Sequence, residues 1–242
     1  MTTPQEAKYS DRVVVVTGAR KGIGRMLVDH FLAEDALVIG MSRGDAAVTH
    51  TNYSHRNLDV GDNLAVRTAF AGISRTYGRV DIVINNAGVL TSVHALLMPA
   101  SRAEEMVRTN LLGGFYVACE AAKLMRKGKF GRIINIGSMA SVLEPIGDSI
   151  YAATKAASMT LTGVLAKEFA SYGITVNTLA VSALQTDMLQ QIPPETMAAV
   201  LAELPLPRLA TPDDVFNVVD FFASPKSSHI TSQTLFLGGA HA

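Results

Sequence analysis

Short apolar runs alternate along the chain with longer stretches in which apolar residues recur at helical spacing. The run from Val13 to Val16 is continuously apolar, as expected of a strand that helices cover on both faces. Alternating strands and helices predict an α/β fold with a doubly wound parallel sheet between two helical layers, a three-layer αβα arrangement. Seven runs, of which the third is the weakest, predict strands at residues 12–17, 36–41, 57–59, 80–85, 132–137, 175–180 and 235–237.

Two predicted helix starts combine a hydroxyl residue with a carboxylate three positions later. Ser101 precedes Glu104, and Thr211 precedes Asp214 with Pro212 between them. A hydroxyl side chain can cap free N–H groups of the first turn, and proline suits the first helical position. Together with the apolar spacing, these patterns predict helices over about 102–126, 150–172 and 212–223.

Composition favours one globular domain. Apolar residues make up 48% of the 242 residues and charged residues 17%, which is unlike a disordered chain. No linker or repeat divides the sequence, so we expect a single cofactor-binding and catalytic domain over residues 1–242. The one proline-rich stretch predicts a mobile substrate-loop segment at about 186–210.

The charge balance is neutral, with 21 basic and 21 acidic residues, so no net field favours nucleic acid or an anionic membrane as a partner. The single Cys119 lies in an apolar run and is expected to be an inert core thiol. The first twelve residues lack the apolar segment of a signal peptide. These features predict a cytoplasmic protein. The six histidines show no metal-ligand spacing, so no metal site is predicted.

A glycine-rich turn links the first strand to the first helix, in the order Thr17-Gly18-Ala19-Arg20-Lys21-Gly22-Ile23-Gly24. Backbone N–H groups at such a helix start can point at phosphate oxygens, and glycine lets a pyrophosphate approach closely. The turn alone is also compatible with a purely structural role.

Several spaced motifs in this order resemble the short-chain dehydrogenase/reductase family. They are the glycine-rich turn, the segment Asn85-Asn86-Ala87-Gly88, Ser138, the pair Tyr151 and Lys155, and the terminal strand, and they cover nearly the whole chain. The resemblance implies a Rossmann-type sheet and hydride transfer between a nicotinamide and a carbonyl or alcohol carbon.

The same resemblance assigns residues to the cofactor. It implies that Asp59 contacts the adenine and that the segment at 85–88 braces the sheet beside the ribose, although Asn85 and Asn86 also suit an ordinary strand-end turn. A threonine after the sixth strand, Thr186, is expected to fix the nicotinamide carboxamide. The candidate cofactor-binding residues are Thr17, Gly18, Arg20, Lys21, Gly22, Ile23, Gly24, Ser42, Arg43, Asp59, Val60, Asn86, Ala87, Gly88, Tyr151, Lys155 and Thr186.

Cofactor choice is expected at the end of the second strand. By alignment with the family, Ser42 stands where enzymes that use NAD carry an aspartate, and Arg43 and Lys21 supply cations nearby. An arginine can bind a 2′-phosphate through two hydrogen bonds. The sequence therefore predicts NADP(H), and the alternative is that these cations are ordinary solvated surface charges.

Tyr151 and Lys155 are four residues apart in a predicted helix, so both side chains lie on one face. A free phenol has a pKa near 10, and a nearby ammonium is expected to lower that pKa toward neutrality, where acid/base groups work best. The resemblance adds that Ser138 holds the substrate oxygen and that the backbone carbonyl of Asn110 anchors a water linked to Lys155. The predicted catalytic tetrad is Asn110, Ser138, Tyr151 and Lys155, although each residue taken singly also has a structural explanation.

Two segments depart from the family pattern. Val181 and Ser182 replace a Pro-Gly pair before Thr186, which predicts a different path for that loop. Near the carboxyl end, the segment at 237–240 reads Leu-Gly-Gly-Ala in place of Val-Asp-Gly-Gly. His94 and Glu144 are candidates for the substrate pocket, but solvated loop positions explain them equally well.

The segment at 131–186 resembles 3-oxoacyl carrier-protein reductases, so a 3-oxoacyl thioester is the first substrate expectation. Lys129 matches one of the basic residues with which those enzymes grip the carrier, whereas Tyr172 stands where an arginine is usual. One alternative is a sugar, polyketide or other small-molecule ketone reductase or alcohol dehydrogenase. The other is a non-catalytic NADP(H)-binding sensor. The intact Tyr151 and Lys155 disfavour the sensor. Family members pair the helices at 102–126 and 150–172, which implies a homotetramer or homodimer.

Overall fold

The computed structural model describes residues 7–184, 195, 198 and 201–240. Seven strands form one parallel sheet in the order β3-β2-β1-β4-β5-β6-β7, which is the Rossmann-type doubly wound topology that the sequence predicts. The weakest predicted strand lies earlier than expected. The strands are β1 Val13–Thr17, β2 Leu37–Ser42, β3 Tyr53–Asn57, β4 Ile82–Asn85, β5 Gly131–Ser138, β6 Ile174–Val181 and β7 Thr234–Phe236.

Helices cover both faces of the sheet. One core cluster joins β1 and β5 to the apolar faces of α2, α4 and α6, and another joins β1 and β4 to those of α1 and α7. This arrangement confirms the predicted three layers, and apolar burial on both faces is the main stabilising contribution. The helices are α1 Gly22–Ala33, α2 Asn63–Tyr77, α3 Ala100–Met106, a π-helix at Val107–Gly113, α4 Gly114–Gly128, α5 Ala140–Leu143, α6 Ser149–Phe169 and α7 Pro212–Ala223.

The two predicted helix starts have different outcomes. Thr211 caps α7 as expected, because its hydroxyl accepts from the Asp214 N–H at 3.3 Å while the Asp214 carboxylate accepts from the Thr211 N–H at 2.8 Å. The prediction that Ser101 caps a helix is wrong. Pro99 precedes the first turn of α3 instead, and its carbonyl accepts from Arg102 N at 3.0 Å, so Ser101 is already inside the helix.

The predicted helix at 102–126 is not one regular helix. A π-helix at Val107–Gly113 separates α3 from α4, and the helical spacing of apolar residues did not reveal it. A π-helix takes up extra residues within a continuing helix and is frequent at functional sites.

The described part of the segment at 186–210 packs against the sheet end. The Ala210 N–H donates to the Ala183 carbonyl at 2.9 Å, the Leu206 N–H donates to the Gly238 carbonyl at 3.1 Å, and buried Leu204 contacts the cluster around Met139. Within the described ranges, no helix has the length and apolar character needed to span a membrane.

Candidate active site

A cleft of about 650 Å³ opens at the carboxyl ends of β1, β2 and β4, a size typical of ligand sites. Doubly wound sheets bind ligands at this edge, where the strand order reverses between β1 and β4. The cleft brings together most of the predicted cofactor residues. Its lining is Gly18, Arg20, Lys21, Gly22, Ile23, Met41, Ser42, Arg43, Leu58, Asp59, Val60, Asn86, Ala87, Gly88, Val89 and Thr109.

The glycine-rich turn and the end of β4 are tied together behind this cleft. The buried Thr17 hydroxyl accepts from the backbone N–H groups of Asn86 at 3.0 Å and Ala87 at 2.9 Å, while the Asn86 amide donates to the Thr17 carbonyl at 2.9 Å. A Cβ on Gly24 would overlap the Gly18 carbonyl, so only glycine permits this close approach. Thr17 and Gly24 therefore shape the turn from outside the cleft lining.

These residues fit a dinucleotide. Helix α1 begins at Gly22, so its unpaired N–H groups and the positive end of its dipole lie at the cleft. Arg20, Lys21 and Arg43 add cationic side chains to the same wall. The donors, the charge and the volume suit a pyrophosphate with an attached nucleoside.

The cations at the end of β2 have partners that the sequence did not reveal. The Arg43 guanidinium donates to Glu105 at 3.1 Å, and Arg102 donates to the same carboxylate at 2.7 Å. Hydrogen bonds from Arg102 and Arg43 lower the pKa of Glu105. Arg20 donates to the backbone carbonyl of Arg43 at 2.9 Å. Glu105 lies 62 residues from Arg43 on α3, so only the fold joins them.

Asp59 and Val60 line the cleft as expected. Asp59 also stabilises a local turn, because its carboxylate accepts from the Gly61 N–H at 2.9 Å. The same carboxylate lies 3.5 Å from the Arg108 guanidinium. Thr186, the expected carboxamide contact, lies outside the described residues. The described part of the chain contains no group of three His, Cys, Asp or Glu residues suited to a metal.

Three of the four predicted catalytic side chains meet at the end of β5. Ser138 is the last residue of that strand, and Tyr151 and Lys155 lie one turn apart on α6. The Ser138 side chain is close enough to Tyr151 to lower the pKa of the phenol, and the Lys155 ammonium lies 5.7 Å from the centroid of the Tyr151 ring. Lys155 donates to the Ile136 carbonyl at 2.8 Å, so β5 fixes its position. Tyr151 is 9% exposed and Lys155 6%.

The expected lowering of the Tyr151 pKa is wrong for this structure. Burial raises the pKa of Tyr151 to about 12, while the hydrogen bond with Ser138 lowers it and the charge of Asp148 raises it. Burial also lowers the pKa of Lys155 to about 8. Burial is the largest cause of both shifts, since removing a group from water disfavours its charged form. Tyr151 is therefore protonated at neutral pH.

Asn110 lies in the π-helix and is buried. Its side-chain oxygen accepts from the Val89 N–H at 2.8 Å, and its amide donates to the Val89 carbonyl at 2.9 Å and lies 3.2 Å from the Thr154 hydroxyl. The side chain thus clamps the cleft segment after β4 to α6. A small polar cavity of about 10 Å³, near the minimum that can hold one water, is lined by Asn110, Lys155 and neighbouring residues.

Other residues near the site complete the comparison with the sequence. His94 and Glu144 are exposed loop residues outside the cleft lining, as their solvated explanation requires. Sequence reasoning missed Thr109, whose buried hydroxyl has no partner among the described residues and which lines the cleft. It also missed Asp148, whose pKa is raised by burial. The position of Asp148 just before α6 is the signal that could have revealed it.

Known proteins match this chain over nearly its full length. The short chain dehydrogenase family matches residues 12–196. The 3-oxoacyl-[acyl-carrier-protein] reductases FabG of Salmonella typhimurium and Escherichia coli K12 are each 33% identical over 237 residues, which cover 96% of this chain and 97% of theirs.

Two solved structures share the fold with a TM-score of 0.88. Aldohexose dehydrogenase of Thermoplasma acidophilum is 26% identical, and the match covers 98% of this chain and 96% of that one. A candidate gluconate dehydrogenase of Agrobacterium tumefaciens is 27% identical, with 97% and 98% covered. With the cleft and the Ser138, Tyr151 and Lys155 cluster, these matches show that the chain belongs to the short-chain dehydrogenase/reductase family, oxidoreductases that act on CH–OH or C=O groups with a nicotinamide cofactor.

Proposed function

We propose that this protein is an NADP(H)-dependent ketoreductase whose first substrate class is a 3-oxoacyl thioester. The observation that carries the proposal is the meeting of Ser138, Tyr151 and Lys155 at the carboxyl end of β5, the strand next to β4 on the sheet edge where the cleft opens. One domain contains both the cofactor cleft and these residues, and the segment at about 186–210 serves as a substrate loop. A reducing, cytoplasmic compartment suits the single Cys119.

Each catalytic side chain has a distinct task in the reductive direction. The nicotinamide, when bound, supplies the hydride. The Ser138 hydroxyl holds the substrate oxygen, and Tyr151 donates the proton that this oxygen takes up. Because burial keeps Tyr151 protonated, the proton is available at neutral pH. The Lys155 ammonium stabilises the negative charge left on the tyrosine oxygen, and Asn110 positions the segment around Val89 beside it.

The end of β2 favours NADP(H) over NAD(H). Ser42 presents no carboxylate that would repel a 2′-phosphate, and Arg20 and Arg43 lie on the same wall. The Arg43 pair with Glu105 is exposed, and exposed ion pairs contribute only about 0–1 kcal/mol, so Arg43 can exchange that partner for a phosphate at little cost. Thr186 keeps its expected role at the carboxamide.

The thioester proposal draws on the reductases of Salmonella and Escherichia, which act on 3-oxoacyl groups attached to acyl carrier protein. Lys129 ends α4 in a left-handed conformation, and the half-exposed Tyr172 lies next to Gly173, which packs against the Lys129 backbone. The exposed Lys129 is the proposed contact for the carrier, and Tyr172 stands where the second cation of those reductases is usual.

A sugar or other secondary alcohol is the second candidate substrate. The specific observation in its favour is the fold shared with aldohexose dehydrogenase and the candidate gluconate dehydrogenase. The non-catalytic sensor alternative is disfavoured because the catalytic side chains are brought together.

The proposed assembly is a homotetramer, or a homodimer, built on the helices that include α4 and α6. Both helices keep large apolar side chains on their outer faces, notably Phe115 and Val164, which are 37% and 47% exposed. Exposed apolar groups of this kind gain from burial against a second copy. A monomer mass in solution at micromolar concentration would contradict this assembly.

A substrate panel tests the proposed function. The purified protein is offered acetoacetyl-coenzyme A, simple ketones, aldohexoses and gluconate, each with NADP(H) and NAD(H), while nicotinamide absorbance is followed. We expect the highest kcat/KM for reduction of the thioester with NADPH. Preference for an aldohexose establishes the second candidate, and absence of turnover with every compound supports the sensor.

A further inference from the structure

Three side chains form a hydrogen-bonded line from β3 to the end of β2. The Tyr53 hydroxyl lies 2.9 Å from Nδ1 of His55, and Nε2 of His55 lies 3.3 Å from the Ser42 hydroxyl. The same Nε2 lies 3.1 Å from the Gly44 carbonyl oxygen. Because Ser42 lines the cofactor cleft, the line ends at the site proposed for the 2′-phosphate.

The space for this line is provided by Gly40 on β2. In the parallel register Gly40 pairs with His55, and a Cβ on Gly40 would overlap the Tyr53 hydroxyl and lie 2.9 Å from the Ala19 Cβ. Tyr53 therefore passes across the neighbouring strand toward the glycine-rich turn. Only a residue without a side chain at position 40 lets the tyrosine reach Nδ1 from this side.

The Gly44 carbonyl decides which nitrogen of His55 carries the proton. A carbonyl oxygen can only accept, so Nε2 must be the donor in that hydrogen bond. In a neutral imidazole Nδ1 is then the acceptor, and it takes a hydrogen bond from the Tyr53 hydroxyl. Burial raises the pKa of Tyr53, so the phenol keeps the proton that it donates.

The proton position on His55 in turn orients Ser42. Since Nε2 is a donor, the Ser42 oxygen can only accept from it, and the Ser42 proton must point elsewhere. The Ser42 side chain borders the cleft, so its O–H is available to a ligand there. A phosphate group offers only acceptor oxygens at neutral pH, whereas a ribose hydroxyl can donate as well as accept. An O–H fixed as a donor thus favours the phosphate, because its hydrogen bond to a charged oxygen is stronger than one to a neutral hydroxyl.

We propose that His55, held by Tyr53, is a positioning residue that fixes Ser42 as a hydrogen-bond donor to the 2′-phosphate of NADP(H) and thereby contributes to cofactor selectivity. The inference rests on the proposed NADP(H) function and adds a residue that lies outside the cleft lining. His55 acts through Ser42 and does not contact the ligand.

The test measures binding of two adenosine fragments by calorimetry, without any turnover. Adenosine 2′,5′-bisphosphate carries the 2′-phosphate, and adenosine 5′-monophosphate lacks it. We expect His55→Leu to weaken binding of the bisphosphate about fivefold to tenfold, the worth of one hydrogen bond, and to leave the monophosphate unchanged. His55→Gln, whose amide N–H can replace Nε2, should stay within about twofold of the parent.

Two further variants separate positioning from general damage. Ser42→Ala should weaken the bisphosphate at least as much as His55→Leu, and the double variant should be no weaker than Ser42→Ala alone, because His55 acts through that hydroxyl. His50→Leu is the matched control. His50 is exposed. Its side chain accepts from the Asn52 N–H, and its backbone carbonyl accepts from the Tyr53 N–H. Its replacement should change neither affinity.

The outcomes distinguish this inference from the proposed function. Equal binding of the two fragments by the parent overturns the NADP(H) proposal. A parent that prefers the bisphosphate, with His55→Leu unchanged or with both fragments weakened equally, overturns the positioning role alone. If His55→Leu does not fold, ¹⁵N NMR of the histidines in the unaltered protein decides the matter. The Nε2–H form of His55 supports the inference, and the Nδ1–H form overturns it.

Discussion

Two buried tyrosines lie at opposite ends of the sheet and have opposite surroundings. Tyr9, 3% exposed, precedes β1 at the amino ends of the strands, and its hydroxyl donates to Asp220 at 2.6 Å. Tyr151 lies at the carboxyl ends, next to Ser138 and Lys155. Burial is the largest cause of the raised pKa of both phenols. The partners of each phenol, rather than its burial, distinguish the two sites.

The polar groups of the cluster around Tyr9 share one partner, Asp220. Asp220 also accepts from His30 at 2.9 Å and binds Lys8 at 2.7 Å, which ties the amino-terminal segment to α1 and α7. Burial alone raises the pKa of Asp220, but the hydrogen bonds from His30, Lys8 and Tyr9 outweigh it and lower the pKa to about 2. A partly buried carboxylate with this many donors keeps its charge and acts as a structural clamp.

The polar groups of the cluster around Tyr151 have fewer partners within the described residues. Within the described ranges Lys155 has one hydrogen bond, to a neutral carbonyl, and burial lowers its pKa to about 8. Among the described residues, Ser138 is the side chain that lowers the pKa of Tyr151 by hydrogen bonding. Buried groups with few partners and shifted pKa values are typical of sites that transfer protons. Burial thus accompanies a structural cluster at Tyr9 and the proposed proton-transfer site at Tyr151.

The largest expected effect is loss of turnover in Tyr151→Phe. Removing the proposed proton donor to the substrate oxygen should lower kcat by about 10²–10⁴-fold, while NADPH affinity stays nearly unchanged because the ring still packs. Steady-state kinetics and fluorescence titration of NADPH measure the two quantities. Tyr9→Phe is the matched control and should keep parental kcat. Activity of Tyr151→Phe within threefold of the parent would refute the proposed mechanism.

The second expected effect is a pH dependence of reduction. The Lys155 ammonium is charged below its pKa of about 8 and loses its proton above it. A neutral Lys155 no longer stabilises the negative charge that forms on the Tyr151 oxygen. We therefore expect kcat/KM to fall about tenfold per pH unit above about pH 8. A pH profile of the parent measures this fall. A flat profile between about pH 7 and pH 9 would show that Lys155 has another role.

The third expected effect is on stability. The pKa of Asp220 is lowered in the folded state, so its stabilising contribution is present above the unfolded pKa near 4 and is lost as pH falls toward about 2. Asp220→Asn should therefore lower the free energy of unfolding by about 2 kcal/mol at neutral pH, with kcat retained. Urea unfolding at several pH values measures the difference from the parent. A difference independent of pH would contradict the charged clamp.

The smallest expected effect is that of Tyr9→Phe on stability. The ring keeps its contact with Phe31, whose centroid lies 4.8 Å away, and Asp220 keeps His30 and Lys8. Loss of one hydrogen bond to a carboxylate should cost about 1 kcal/mol or slightly more. Thermal unfolding of the parent, Tyr9→Phe and Asp220→Asn measures this loss of stability. A larger loss than that of Asp220→Asn would show that packing, and not the hydrogen bond, dominates this cluster.

The sequence by itself determined the features that depend on neighbours along the chain. Alternating apolar runs predicted the seven-stranded sheet, and the Thr211 cap predicted the start of α7. The spacing of Tyr151 and Lys155 placed both on one helical face. These patterns are local, because strand and helix periods repeat over a few residues. The single domain, the loop at 186–210, the role of Thr186 and the tetramer stay predictions.

The tertiary structure alone decided the features that depend on burial and on contacts between distant residues. The spacing of Tyr151 and Lys155 predicted a lowered phenol pKa, but burial raises that pKa, and no sequence pattern shows how completely water is excluded. Glu105 meets Arg43 only because α3 folds over the end of β2. His55 reaches Ser42 only because β3 pairs with β2 in this register. Charge and hydrogen bonding act through space, so the fold decides which partners each side chain has.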